Sequence, residues 1–377
     1  DPISFDSPQN DCQKMLNYGK LPNGKFMINW PNCGNDLYMN IIEMSKEDRI
    51  KAIEEAKLHS LRFIYYIQNE LGYKHLGLAD DEFPTKDQLP FIPYHRESRR
   101  VLGETMFSLP YVLDPYGQEK AFFRTGIAVG DYTIDHHHKM NPGAPEIDFI
   151  KIRVPSYNIP MGSLIPKGST HFIVAEKSIG VSNIVNGSTR LQPAVLQIGQ
   201  AAGIIAAIAI KRNLQPAEVN IREVQQTILD WKGYLMPYYD VPPEDPQFQE
   251  INRVGATGFI RGVGEPYLWA NRTWFYPDSI YTGNELKTGA AAFGLPPFSV
   301  DEGPITQGKL CEVLSKITTK DLAIVETEFR GVCVQLSLKY NKNEPISRRT
   351  AAVAIDRIVN PFAVYPINKL GKIIGPK

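Results

Sequence analysis

Residues 170–212 constrain the fold most. A short apolar run, His171-Phe172-Ile173-Val174-Ala175, has the length and β-branched content of a strand. A turn of small residues follows over 178–190, and then a long apolar helix is expected from about Leu191 to Arg212. Pro193 suits the first turn of that helix, where a missing N–H costs nothing. Gly199 and Gly203, four apart, would let the helix press closely on a neighbour. A strand feeding a long helix through a tight turn belongs to mixed architectures, so the chain is read as α/β, or α+β. The segment has two uses on physical grounds. It can aim the positive end of a helix at an electron-rich ligand, or it can be a close-packed core helix.

The rest of the chain falls into four stretches. Residues 1–44 are loop-rich, with punctuation such as Leu21-Pro22-Asn23-Gly24. A helix is expected from Ser45, a good N-cap with Asp48 three residues on, to Gly72. Strands are expected over 121–129 and 149–154. A second helix is expected over 221–234, with Asn220 and Glu223 as a capping box. The segment 237–246 is rich in Pro, Tyr and acid and reads as a linker. The expected organisation is therefore 1–155 as a substrate-type domain, 156–236 as a returning nucleotide-type segment, 237–259 as linker, and 260–377 as a small helical domain. Within the last, Pro304-Ile305-Thr306 and Pro345-Ile346-Ser347 correspond, and each precedes a helix, over 308–317 and 349–359. Thr306 and Ser347 are good N-caps. A duplicated helical hairpin follows from that repeat, with a loose likeness to surface-layer homology repeats.

Composition excludes some classes. Lys plus Arg and Asp plus Glu both number 41 in 377 residues, so the balance argues against a general nucleic-acid binder. The longest apolar run, residues 201–210, is about half of what a membrane span needs, which favours a buried helix. The opening Asp1-Pro2-Ile3-Ser4 reads like a mature or trimmed end. Cys12, Cys33, Cys311 and Cys333 include no CxxC pair, so a zinc site has no support. Cys12–Cys33 and Cys311–Cys333 could each close a short loop, or all four could be free thiols.

Several residues are candidates for chemistry. In Asp135-His136-His137-His138, strand alternation puts Asp135 and His137 on one face and His136 and His138 on the other. A metal there would need a further ligand, and none is assigned. His137 can serve as general base toward a substrate hydroxyl. Arg96, in Arg96-Glu97-Ser98-Arg99-Arg100, can clamp an anion, or begin a solvated helix. His137, Asp135 and Arg96 are thus the catalytic candidates. Tyr267, Trp269, Trp274, Phe275 and Tyr276 can stack on sugar rings, although a hydrophobic core is the commoner use of such residues.

The ordered series Arg96-Glu97-Ser98-Arg99-Arg100, Gly130-Asp131-Tyr132-Thr133-Ile134-Asp135-His136-His137, Tyr157-Asn158-Ile159-Pro160-Met161-Gly162, Gly187-Ser188-Thr189-Arg190, Gln192-Pro193 and Gln197-Ile198-Gly199-Gln200-Ala201-Ala202-Gly203 resembles the FAD-dependent oxidoreductase family of glycan-degrading bacteria. Some of its relatives carry a xanthan lyase label. The likeness covers about residues 20–235. It implies a discontinuous FAD-binding domain with an inserted substrate domain. It places Gly187, Ser188, Thr189 and Arg190 beside the flavin ring and ribityl chain, with Gln192 and Pro193 opening the helix toward the pyrimidine edge. The implied reaction passes hydride from a hydroxyl-bearing small molecule or carbohydrate to FAD. A glycan-binding protein without catalysis and a polysaccharide lyase are the alternatives, and the periplasm or cell envelope is the expected location.

The chain departs from the family in one respect. A G-x-G-x-x-G turn should precede these segments. The nearest sequence, Gly258-Phe259-Ile260-Arg261-Gly262-Val263-Gly264, is spaced too widely. Ala175-Glu176-Lys177 also replaces the Ala-Gly-Arg of some relatives, which sets a carboxylate where a pyrophosphate would lie. The expectation is an incomplete FAD-binding fold, completed by a missing N-terminal segment or chain.

Overall fold

A computed structural model describes residues 8–29, 37–96, 99–136, 143 and 151–375, with only the backbone described for 8–11. It divides the chain into two compact units, residues 1–96 with 137–146, and residues 97–136 with 147–377.

The first unit contains helices α1 (Pro8–Gly19) and α2 (Lys46–Asn69). Ser45 caps α2 as expected, its hydroxyl accepting the Asp48 N–H at 3.1 Å. Helix α1 lies where loop was expected. Its Asn and Asp residues are poor helix formers. However, Cys12, Met15 and Leu16 fall on one stripe and bury with Ile67 of α2, so packing overrides propensity. Cys12 is disulfide-bonded, and its partner lies outside the described residues.

The second unit begins with α3 (Leu109–Leu113) and a 3₁₀ turn, Phe122–Thr125, which feeds strand β1 (Gly126–Gly130). Strand β1 pairs antiparallel with β2 (Tyr157–Pro160), with a bulge between Gly126 and Ala128. The expected strand over 121–129 thus starts five residues late. Residues 122–125 turn because Arg124 is buried and donates to the Thr257 and Gly371 carbonyls at 2.8 and 3.2 Å. Of the strand expected over 149–154, residues 149 and 150 lie outside the described residues, and 151–154 make no ladder. Residues 170–175 make none either, although the Val174 N–H reaches the Leu164 carbonyl at 2.8 Å. An apolar run marks burial, but a strand also needs a partner at its edge, which periodicity cannot name.

Four helices follow: α4 (Asn183–Thr189), α5 (Gln192–Arg212), α6 (Ile221–Asp230) and α7 (Phe248–Thr257). Helix α4 replaces part of the expected small-residue turn, and Ser182 caps it by accepting the Val185 N–H at 3.3 Å. Helix α6 ends four residues early, before Lys232 turns left-handed at φ 59°. Its expected capping box is not closed. Asn220 accepts from Arg222, while Glu223 pairs with Arg212 at 2.7 Å. Residues 237–259 do not form a loose connector. Tyr238 and Val241 are buried, and α7 sits in the core with Ile251 and Val254 fully covered. One hydrophobic core runs from Phe107 through α7 to Tyr365.

The C-terminal part holds a second two-stranded antiparallel sheet, β3 (Val263–Glu265) with β4 (Arg272–Trp274), then α8 (Gly283–Ala290), α9 (Gln307–Thr318), α10 (Leu322–Gln335), α11 (Arg348–Ala354) and α12 (Pro361–Val364). A π-turn, Ile355–Val359, extends α11. Thr306 and Ser347 cap α9 and α11 as expected, each accepting an N–H at 3.2 Å. The repeat is triple rather than double. Thr282 and Glu285 close a capping box on α8. The three residues before the caps bond in a closed ring, Ile305 N–H to Tyr281 at 3.0 Å, Ile346 N–H to Ile305 at 3.0 Å, and Tyr281 N–H to Ile346 at 2.8 Å. The first copy escapes notice in sequence because Ile280 replaces the proline of the other two. The whole is α+β.

Cys311 and Cys333 are free and buried, so no disulfide joins them. Burial pushes the Cys311 thiol up to about 12, and the Cys333 thiol rises for the same reason. The thiolate is the reactive form. Iodoacetamide at neutral pH should therefore leave both unmodified in the folded protein and label both in denaturant, which intact-mass measurement would read. Rapid native labelling would refute their burial.

Candidate functional site

The candidate site grows from the loop after β1. Asn271 ties this loop down, its backbone N–H and side-chain Nδ2 both donating to the Asp131 carbonyl at 2.7 and 3.0 Å. Tyr132 follows, half-buried, with its phenol donating to the Asp135 carboxylate at 3.1 Å. That carboxylate accepts Arg190 Nη2 at 3.0 Å, and the Asp135 carbonyl accepts the same nitrogen at 3.2 Å. Arg190 is buried, and Asp135 is half-buried. A phenol, a carboxylate and a guanidinium thus stand in series at the C-terminal end of α4. The guanidinium pairs with the carboxylate, and the carboxylate fixes the direction of the phenol O–H.

The residues that the resemblance assigns to cofactor contact pack against their own chain. Gly187 is pressed against Asp135 and His136. A Cβ there would meet the Asp135 carbonyl at 2.5 Å and the His136 ring at 2.5 Å, so no other residue fits. Ser188 Oγ lies 2.6 Å from both the Tyr132 carbonyl and the Tyr157 hydroxyl. Burial raises the Tyr157 phenol well above its usual range and keeps it neutral. Thr189 bonds back to the Val185 carbonyl at 3.3 Å. All four residues, Gly187 to Arg190, are buried and engaged by their own chain. Gln192 and Pro193 are exposed at the start of α5, which has no side-chain cap.

Helix α5 is long and apolar enough to cross a membrane by length and composition. One stripe of it, with Ala194, Ile198, Ala201 and Ile205, is buried. It packs on β1 and α6. Gln197 acts as a surrogate strand partner, accepting the Val129 N–H at 3.0 Å and donating to its carbonyl at 3.2 Å. Gly199 and Gly203 do not press on a neighbour. A Cβ at either would meet open space, and they share the exposed face with Leu196 and Ile210, which are 74% and 83% exposed. Glu176 is exposed, takes a left-handed φ of 64° and pairs with Lys177 at 3.5 Å.

Among the other candidates, Arg96 belongs to the first unit, where its guanidinium donates to Asn29 at 3.1 Å in a bend rather than a helix. The structure brings Asp135 together with Arg190 and Tyr132. His137 and His138 lie outside the described residues, as do Glu97 and Ser98. His136 bonds the Ile184 carbonyl at 3.0 Å. Asn186 was not a sequence candidate. Its side chain is buried, and neither its amide nitrogen nor its oxygen has a hydrogen-bond partner. Leaving both ends unmet costs about 1–3 kcal/mol each, and nothing in the local sequence signals it.

The architecture defines an α+β protein with a long helix that starts, without a side-chain cap, just after a half-buried carboxylate paired with a buried guanidinium. The family description FAD dependent oxidoreductase matches residues 2–228, more than half of the chain, and the chain belongs to that family. No curated protein and no solved structure matched it.

The described residues fit the family's cofactor at one end. A flavin's pyrimidine edge carries an N–H between two carbonyls, the complement of an unmet amide such as Asn186. Negative charge on that edge also suits the uncapped start of α5. The Ser188 and Thr189 hydroxyls, by contrast, bond within the chain itself.

Proposed function

We propose that this chain works as part of a flavin-dependent oxidoreductase that takes hydride from a hydroxyl-bearing carbon of a sugar or polyol. The observation that carries the proposal is the hydrogen-bonded series Tyr132–Asp135–Arg190, set in a chain that matches the FAD dependent oxidoreductase family. FAD, when bound, supplies the hydride acceptor. Asn186 and the first turn of α5 would hold its pyrimidine edge. Arg190 anchors Asp135, Asp135 orients Tyr132 beside the reacting carbon, and His137, the general base expected from sequence, would take the hydroxyl proton as the hydride leaves. The exposed stripe of α5 and the unpaired run 172–175 support a further reading. A segment bearing a glycine-rich phosphate turn covers them and completes the cofactor cradle.

The test is direct. A protein holding this chain and its complementary segment should purify yellow, and a sugar or polyol should bleach it without oxygen. A folded, colourless protein that ignores added FAD would overturn the proposal. Tyr132→Phe should lower turnover by about 10²-fold while melting normally. A Tyr132→Phe variant with full turnover would remove Tyr132 from the site. New C=C absorbance in the product, without bleaching, would mark a lyase instead.

A further inference from the structure

Strand β4 has an unusual outer face. Its inward residues, Asn271, Thr273 and Phe275, are buried. The alternate positions, Arg272, Trp274 and Tyr276, face outward, where a strand at the surface ordinarily carries polar residues. Trp274 and Tyr276 stack with centroids 5.9 Å apart and planes 14° apart. Tyr239 meets Trp274 edge-on at 5.1 Å. Arg272 lies over Tyr267 at 3.7 Å and over Tyr239 at 4.8 Å. Trp269 stacks on Tyr132, the phenol of the candidate site, at 6.0 Å. Tyr239, Trp269, Tyr276 and Tyr267 remain 62%, 47%, 44% and 40% exposed, so these rings are not core.

The arrangement is held at a cost. Leu268 and Tyr276 take left-handed φ values of 48° and 54°. Bulky side chains rarely adopt this region, so the two positions are strained. The Asp240 carboxylate keeps the second in place by accepting the Phe275 and Tyr276 N–H groups at 2.8 and 2.7 Å. Trp274 is fixed through its indole N–H, which donates to Glu265 at 2.8 Å. Flat, rigid rings pack around one cation, and the exposed carboxylates of Glu265, which accepts the Trp274 indole N–H, and Asp131, whose carbonyl holds Asn271, belong to the same hairpin and its neighbouring loop. Carboxylates accept hydroxyl hydrogens and repel anions.

We propose that the β3–β4 hairpin and Tyr239 form a binding surface for a neutral polysaccharide. The apolar C–H faces of its sugar rings stack on Trp269, Tyr267, Trp274 and Tyr276, and its hydroxyls donate to the Glu265 and Asp131 carboxylates. The surface adjoins Tyr132, so a bound chain would lie beside the candidate site. Binding needs no flavin, so a colourless protein that binds glycan would sink the oxidoreductase reading and leave this one standing.

Calorimetry with cellohexaose, mannohexaose, xylohexaose and polygalacturonate tests the proposal. At least one neutral oligosaccharide should release heat, with polygalacturonate silent. Trp269→Ala and a Tyr267→Ala/Tyr276→Ala double variant should each weaken binding about tenfold, which is about 1.4 kcal/mol. Trp231→Ala, on an exposed ring elsewhere, should bind normally. No heat with any neutral probe, equal heat in the ring variants, or a preference for polygalacturonate would overturn it. So would self-association in sedimentation that Trp269→Ala abolishes, because the surface would then be an interface between copies.

Discussion

Asp135→Ala is expected to destabilise the protein by about 3–5 kcal/mol, because it strips the carboxylate from a buried guanidinium. Arg190 is only 3% exposed, so water cannot replace the lost partner. The same change frees the Tyr132 phenol. The melting temperature should fall by on the order of 10 °C, at about 2–4 °C per kcal/mol for a domain of this size. Asp135→Leu with Arg190→Met should recover much of the loss, since replacing both partners by apolar groups removes the stranded charge. Thermal unfolding followed by circular dichroism reads all three proteins. If Asp135→Ala melts within a degree or two of the parent, the pair is not the buried anchor described above. Turnover separates the two roles, because the double variant should fold and remain slow.

Arg348→Met should cost about as much, and in a different place. Arg348 is buried at the start of α11. It donates to the Phe275 carbonyl at 2.6 Å and the Arg261 carbonyl at 2.7 Å, pairs with Glu285 of α8, and lies over the Phe275 ring. Methionine keeps the aliphatic contact but removes every donor. Two carbonyls and a carboxylate lose their partner, for about 3–5 kcal/mol in sum. Because Arg348 ties α11 to α8, the loss should fall on the ring of Tyr281, Ile305 and Ile346. Their amides should exchange hydrogen faster, while those of α2 are unchanged. Lys309→Ala, on the surface, should stay within about 0.5 kcal/mol. Unaltered exchange at the three ring amides would show that Arg348 does not hold it.

Much of this protein is legible from local chemistry. Ser45, Ser347 and Thr306 announce their helices, because an N-cap needs only its own hydroxyl and an N–H two or three residues on. Pro193 and the apolar period mark α5 to within a residue. Family membership is likewise carried by short motifs in order. What was missed needs distant partners. Residues 170–175 read as a strand, yet no ladder forms. Helix α1 looked like loop until Ile67 of α2 covered its apolar stripe. Gly199 and Gly203 suggested close packing, but they face outward.

The candidate site shows the same division. Asp135 was singled out by its neighbours in sequence, but its partner Arg190 is 55 residues away. The resemblance places Gly187, Ser188 and Thr189 beside a flavin, whereas the contacts of Gly187 and Ser188 with the Tyr132–His136 loop and Tyr157, and of Thr189 with Val185, appear only in the structure. The aromatic residues of 267–276 were known from composition, but only burial separates Phe275, which is core, from Trp269 and Tyr276, which are not. Sequence alone determined the capped helices, the family and the residue types at the site, because these depend on contacts within a few residues. Only the tertiary structure decided which side chains face each other, which face water and which strand finds a partner, because burial and pairing are set by the whole chain at once.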